Sequence, residues 1–345
     1  MMKIKGDDLA AFIERLASTC SVYAPVREEG EAYYSYKPVT SGKEVALDFT
    51  NTRVSAKQLF LPQTEKLFSY RTEDGGKVFE VPADRGKTVV MGIRPCDAKS
   101  LPMLDSVFQN DQYADPYYLG RRTNTVLVGL GCNDPCGTCF CTSMGGGPFD
   151  PAGLDVLLTA VPGGYLVEAL TDAGKALLAD TPLFPPEAGE EAAAAKVKID
   201  ATRRADTLPL GGLKERLDGA FDDPIWAGIP EKCLGCGICT FLCPTCHCFD
   251  VCDSGSAAAG SRERIWDSCL FPLYTLHASG HNPRPSGRER YRQRVMHKFK
   301  YFVDRLGCTA CVGCGRCVVN CPVNLDIREV TRQIRDHVEA GVGAR

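Results

Sequence analysis

Apolar and polar positions alternate along the first half of the chain in a way that predicts strands and helices in turn. Residues 8–20 carry helical spacing. KTVVMGI (87–93) and NTVLVGLG (124–131) are short β-rich apolar runs of the kind that form buried strands. The first ends at Pro95, and AKSLPMLDSVF behind it predicts a helix. The second runs straight into GCNDPCGTCFCTSMGGGP (131–148). GGYLVEAL (163–170) predicts a third strand, followed by a helix in TDAGKALLAD capped by Thr171. Strands alternating with helices make an α/β region. Cys96 and the cysteines at 132–141 fall at the C-terminal ends of its strands, where open α/β sheets bind their ligands.

The pattern changes at PLFPPEAGEEAAAAKVKID (182–200), which is rich in Pro, Ala and Glu. Beyond it the spacing is mostly helical, as in ERYRQRVMHKFKYFVDRL (289–306). The expected organisation is an α/β (α+β) domain over 1–185, a linker and helix over 186–220, and a mainly α-helical, ferredoxin-like dicluster domain over 221–345. The length of 345 residues suits two domains better than one.

Composition changes this picture in one respect. The hydrophobic fraction is ordinary and the net charge is −3, so nothing implies a general attraction to nucleic acid or membrane. No apolar run reaches the ~18 residues that span a bilayer, and the start of the chain lacks a signal-peptide core. A cytoplasmic protein is expected. Cysteine is the outlier, at 19 residues. In a reducing compartment, cysteines clustered at ligand spacing point to metal or redox chemistry rather than disulfides.

CLGCGICTFLCP supplies Cys233, Cys236, Cys239 and Cys243, and CVGCGRCVVNCP supplies Cys311, Cys314, Cys317 and Cys321, each run closing on proline. Both are C-x₂-C-x₂-C-x₃-C-P, the bacterial ferredoxin run, in which the fourth cysteine ligates the other cluster. One 4Fe–4S cluster is therefore expected on Cys233, Cys236, Cys239 and Cys321, and a second on Cys311, Cys314, Cys317 and Cys243. Gly235, Gly237, Gly313 and Gly315 would let backbone amides approach the sulfides. Structural zinc normally uses two separated CxxC pairs and fits less well. Neither cluster offers an open iron, so one-electron transfer is the expected role. The 244–310 segment is too long for a compact ferredoxin hairpin and is expected to make a long excursion.

CGICTFLCPTCHCFD, RIWDSC, ASGHNPR, ERYRQRVMHKFKYF and GCGRCVVNCPVNLDI resemble a family of dicluster electron-transfer subunits. Its members include the beta subunit of soluble sulfhydrogenases and an iron–sulfur subunit of anaerobic sulfite reductase. GIRPCDAKSL and CFCTSMGGGP resemble the same family's N-terminal signatures, so the likeness spans roughly 88–330. The resemblance implies membership of an oxidoreductase complex. The chain would pass electrons between a flavin subunit that meets NAD(P)H and a catalytic partner of hydrogenase, sulfite reductase or heterodisulfide-reductase type. No residue is expected to be catalytic on this chain alone.

Cys132, Cys136, Cys139 and Cys141 would be cramped as a single cubane site because of the C-x-C at 139–141. Cys96, at the end of the neighbouring strand, supplies a better fourth ligand. A third iron–sulfur cluster is expected on Cys96, Cys132, Cys139 and Cys141, and the family resemblance, in which the position of Cys136 is often not cysteine, favours that set. The alternatives are a zinc knot, free buried thiols, or a redox dithiol in C136-G-T-C139. Gly145, Gly146 and Gly147 either fold over the sulfides or form a plain turn. GLGCND puts Asp134 where a dinucleotide fingerprint needs its third glycine, so neither flavin nor NAD is expected here.

Cys246, Cys248, Cys252, Cys269 and Cys308 stay unassigned, as buried small residues beside a cluster or as a further site. His247 is read either as a ligand or as a neighbour that tunes a cluster without binding it. The basic run Arg284, Arg288, Arg290, Arg292, Arg294, His297, Lys298 and Lys300 is a solvated face, a docking surface for an acidic partner, or counter-charge for anionic clusters. A rival reading is a self-sufficient disulfide or sulfur-compound reductase that uses the 132–141 cysteines as its substrate site.

Overall fold

A computed structural model describes residues 1–83, 86–205 and 208–337. Residues 84–85, 206–207 and 338–345, which fall in the expected α/β, linker and C-terminal regions respectively, lie outside it.

A seven-stranded mixed sheet organises the first half. Its strands are β1 (Met2–Lys5), β2 (Ser21–Arg27), β3 (Tyr34–Pro38), β6 (Thr88–Ile93), β7 (Thr125–Leu130), β8 (Val156–Val161) and β9 (Gly164–Ala169), in spatial order β1-β9-β8-β7-β6-β2-β3. The centre, β2-β6-β7-β8, is parallel and the flanking pairs are antiparallel. Parallel strands are covered on both faces and therefore read as continuous apolar runs, which is why 87–93 and 124–131 stand out. Val89, Met91, Val128 and Leu130 pack under the helix Gly6–Ala17. Val90, Leu127 and Leu157 pack on the opposite face with Leu101, Leu104 and Tyr118, from the helices Pro95–Phe108 and Pro116–Thr123. Each such side chain contributes about 1.5–3 kcal/mol by leaving water.

The expected helices appear at Gly6–Ala17, Pro95–Phe108 and Asp172–Leu178, the last with Thr171 Oγ1 accepting from Gly174 N at 3.1 Å. The third expected strand is present as β9; it runs antiparallel to β8, whose apolar run VLLTAV forms a further buried strand that is not among the expected ones. Residues Glu190–Arg204 form a helix that ties back to the first half, with Lys198 Nζ 2.8 Å from Glu168 Oε1.

A second, four-stranded antiparallel sheet has the order β10 (Phe249–Gly255), β11 (Ala259–Trp266), β4 (Thr64–Glu73), β5 (Gly76–Glu80). Strands β4 and β5 come from the N-terminal half. Strands β10 and β11 form a hairpin inside the excursion between the two ferredoxin motifs. The excursion thus crosses to the N-terminal half and pairs there. Arg264 on β11 is fixed by Glu65 and by Asp115 at 2.6 Å. The rest of the C-terminal half is helical and packs around Trp226, Val295, Met296, Phe299, Val330 and Ile334. The molecule is therefore an α/β region joined to a mainly helical region that carries the two cysteine motifs, as the sequence predicts.

Candidate metal centres

Each ferredoxin motif runs from a short loop into one turn of helix, Ile238–Phe241 around Cys239 in the first and Arg316–Val319 around Cys317 in the second. Cys233, Cys236, Cys239 and Cys321 line one cavity, together with Tyr291, Arg294 and Leu325. Cys243, Cys311, Cys314 and Cys317 line a second cavity with Arg294 and Lys298. The fourth cysteine of each motif therefore opens onto the cavity of the other, the crossed arrangement expected from the spacing. Leu325 N donates to Cys321 Sγ at 3.2 Å, and backbone donors of this kind steady a thiolate and raise its redox potential.

A third cavity sits at the C-terminal edge of the parallel strands. Strand β6 runs into Arg94, Pro95 and Cys96, and its parallel neighbour β7 runs into Gly131 and Cys132. Cys96, Cys132, Cys139 and Cys141 line this cavity with Arg94, Asn51 and Gly147, whereas Cys136 does not. Cys136 Sγ instead lies 2.6 Å from Cys139 Sγ, so the dithiol alternative also has its partners in contact.

The three cavities stand in line. The first and second share Arg294, Cys317 and Ile327, and the second and third share Cys314. The join at Cys314 is tight. Phe140 N donates to Gly313 O at 2.8 Å, and a Cβ at Gly313 (φ +65°) would stand 2.4 Å from the Phe140 carbonyl carbon. A Cβ at Gly315 (φ +73°) would meet Thr138 Oγ1 at 2.6 Å. The motif spacing assigns these two glycines to making room for sulfides; they also make room for the 138–141 segment of the third site. Arg316 and Asp97, which neighbour Cys317 and Cys96 in sequence, lock the same junction. Arg316 donates to both Asp97 carboxylate oxygens, at 2.5 and 2.8 Å, and to Thr52 O at 2.8 Å, and both residues are buried.

Charge tests whether anionic clusters fit. Arg294 and Lys298 are each 3% exposed and Arg94 is 6% exposed, and among the described residues none has a carboxylate partner. A buried cation without a counter-ion costs several kcal/mol. Arg94 spends its donors on Thr50, Leu130 and Gly131 carbonyls and stacks on Phe49 at 4.2 Å. Lys298 Nζ is 3.2 Å from Cys243 Sγ and 2.8 Å from Ala310 O. So each of the three thiol-lined cavities also presents a buried positive charge without a carboxylate, which suits an anionic occupant. Burial pushes the bare thiols up, Cys141 to about 11 and Cys314 to about 12. A metal must therefore displace protons to bind there. Cys243 goes the other way, held down by the hydrogen bond with Cys246 and then by Lys298.

One sequence reading changes here. The basic run is not a solvated face: of its eight members only Arg288 is exposed. Arg294 and Lys298 turn inward, Lys298 from a π-helical turn, His297–Tyr301, which shifts the register of the helix Gly287–Met296. Arg94 and Asp97 flank Cys96 in RPCD, whereas Lys57 carries no sequence signal of a role beside the cysteines, and only the folded topology brings it there. His247 sits half-buried against Phe108 and His297, and desolvation pushes it down to about 4.

Among the described residues no group of three or more His, Cys, Asp or Glu converges closely enough to hold a single metal ion. No described helix is long and apolar enough to cross a membrane.

Comparison with known proteins agrees with this chemistry. Residues 232–325 match the family described as a 4Fe–4S dicluster domain. Over 339 residues, covering 97% of this chain and 98% of the relative, the sequence is 35% identical to sulfhydrogenase 2 subunit beta of Pyrococcus furiosus. Identity at that level over nearly the whole of both chains shows kinship of the N-terminal half as well as of the motifs: the protein is an iron–sulfur protein and belongs to the sulfhydrogenase beta subunit family of 4Fe–4S dicluster electron-transfer subunits.

Proposed function

We propose that the chain is a one-electron relay with three 4Fe–4S clusters in a row. The first is held by Cys233, Cys236, Cys239 and Cys321, the middle one by Cys243, Cys311, Cys314 and Cys317, and the third by Cys96, Cys132, Cys139 and Cys141. The clusters supply reversible one-electron chemistry at potentials set by their surroundings. The chain's own residues space them, exclude water and stabilise the extra negative charge of reduction. The observation that carries the reading is the row of three thiol-lined cavities, adjoining through Cys317 and Cys314, each with a buried, carboxylate-free cation.

The row has two unlike ends. Cys236 and its neighbour Leu234 are exposed at the first cavity, and the third lies against the α/β sheet. Such a row suits a cytoplasmic complex in which a flavin subunit that meets NAD(P)H joins one end and a catalytic partner the other. The relative's standing as a sulfhydrogenase subunit supports that setting. Flavin and NAD(P)H belong to the partner in this reading. The α/β region through about 185 carries the terminal cluster, residues 186–220 lead across, and the helical region carries the pair.

The contact between Cys136 and Cys139 favours a second reading, a disulfide or sulfur reductase with its substrate site at 132–141. One experiment separates them: iron and acid-labile sulfide per chain in anaerobically purified protein, beside Cys139→Ser and Cys141→Ser. The relay predicts about 12 iron atoms, falling to about 8 in each variant. About 8 in all three would remove the third cluster and favour the reductase. Rapid NADH oxidation by the isolated chain would overturn the assignment of flavin to a partner.

A further inference from the structure

Three cysteines next to the row belong to none of its cavities. Cys246 lies within hydrogen-bonding reach of Cys243, and Cys248 within reach of Cys269. The β10–β11 hairpin creates the second pair. Phe249 stands opposite Trp266, and Asp267 N donates to Cys248 O at 3.0 Å, so residues 21 apart in sequence meet at the open end of the hairpin. The Tyr274 hydroxyl reaches Cys248 as well. The next residue after Cys269, Leu270, lines the first cluster cavity.

Buried positive charge surrounds this group. Lys57, 2% exposed, donates to Cys246 O at 2.9 Å and Phe241 O at 3.2 Å, and lies over the Trp266 ring at 4.0 Å. Among the described residues it has no carboxylate partner. Arg294 reaches Cys246 Sγ at 3.9 Å from the shared wall of the first two cavities. A cation at that place favours a thiolate on the facing sulfurs. In keeping with this, Cys248 is held down to about 6, first by its hydrogen bond with Cys269, while Cys269 is raised by the same bond. One thiolate beside one thiol is the arrangement from which a disulfide forms. The three sulfurs do not form a single-ion site.

We infer that Cys248 and Cys269 are a redox-active dithiol, a two-electron sulfur centre attached to the one-electron relay. Oxidation of this thiol–thiolate pair forms one S–S bond and breaks one S–H bond, at Cys269. One proton leaves past Tyr274 to solvent, since both cysteines are partly open to water. Two electrons leave singly, one to each of two oxidised clusters. Reduction runs the same steps backwards. The pair would let a carrier of single electrons exchange with chemistry that needs two. This inference rests on the cluster reading of the first and middle cavities, since the clusters are its electron acceptors.

The test uses the full chain, purified anaerobically. One portion is oxidised with ferricyanide and another reduced with dithionite. Each is quenched in acid with an alkylating reagent and a chelator and read by peptide mass spectrometry. The expected result is a Cys248–Cys269 disulfide in the oxidised portion and two alkylated cysteines in the reduced one. Reductive titration should take two more electrons in the wild type than in Cys269→Ser at equal iron content. Two alkylated cysteines in the oxidised wild type would overturn the inference. So would iron falling in Cys248→Ser or Cys269→Ser, which would make these residues metal ligands. Failure of the cluster reading is distinguishable, because it appears as wild-type iron below about 8.

Discussion

In each of the three proposed ligand sets, three thiols come from one short segment and the fourth from far along the chain; the helical and the α/β regions differ in what delivers the fourth. In the helical region the delivery is reciprocal, with Cys321 serving the first cavity and Cys243 the second. At the sheet edge there is no exchange. Cys96 reaches Cys132, Cys139 and Cys141 because β6 and β7 are parallel neighbours in register, Val90 opposite Leu127. A cavity lined by exchange is written into the spacing of the motifs. A set built by strand adjacency is written into the fold and appears in sequence only as a cysteine beside an apolar run.

Four changes test that contrast. Asp97→Asn strikes where the two constructions meet. It leaves Arg316 buried without its carboxylate, and breaking such a pair costs about 3–5 kcal/mol. The expected result is a large fall in the denaturant midpoint, with the third cluster's iron lost before the other two. Gly313→Ala places a methyl group against the Phe140 peptide at a residue of positive φ, for about 1–3 kcal/mol. Thermal bleaching of the cluster absorbance should start at lower temperature, and loss confined to the first cluster would contradict the packing described. Lys298→Met removes the ammonium beside Cys243. Reduction of the middle cluster should become harder by about 60 mV, the one-electron equivalent of about 1.4 kcal/mol. Electron paramagnetic resonance during a redox titration reads that shift, and the third cluster should stay within error. Arg288→Ala, at the exposed member of the basic run, should alter stability by less than about 0.5 kcal/mol and leave iron content unchanged.

The contrast also explains what the sequence disclosed. The ferredoxin runs could be read because their ligand geometry is local. Strands β6 and β7 could be read because burial on both faces leaves an unbroken apolar run. The β10–β11 hairpin could not. FDVCDSG and AGSRERIW are largely polar, and what makes β11 a strand is β4, far away in the chain. Without that pairing the excursion looks like an irregular loop, and Cys248 and Cys269 look like scattered cysteines. Arg294 and Lys298 were visible as charges, but their direction was not. A run of basic residues looks solvated until the thiols on its inner side are known.

The pairing of β4 with β11 also has a consequence in time. During synthesis β4 leaves the ribosome long before β11 exists. At about 5–20 residues per second, the wait is roughly ten to forty seconds. Throughout it, β4 presents an open edge of the kind that recruits other chains. Cys243 emerges before the segment that carries its cavity-mates Cys311, Cys314 and Cys317, and Cys233, Cys236 and Cys239 emerge before Cys321. With the proposed ligand sets, loading of the first and middle sites therefore waits until the 311–321 segment has been made, long after the first thiols of each set are on offer.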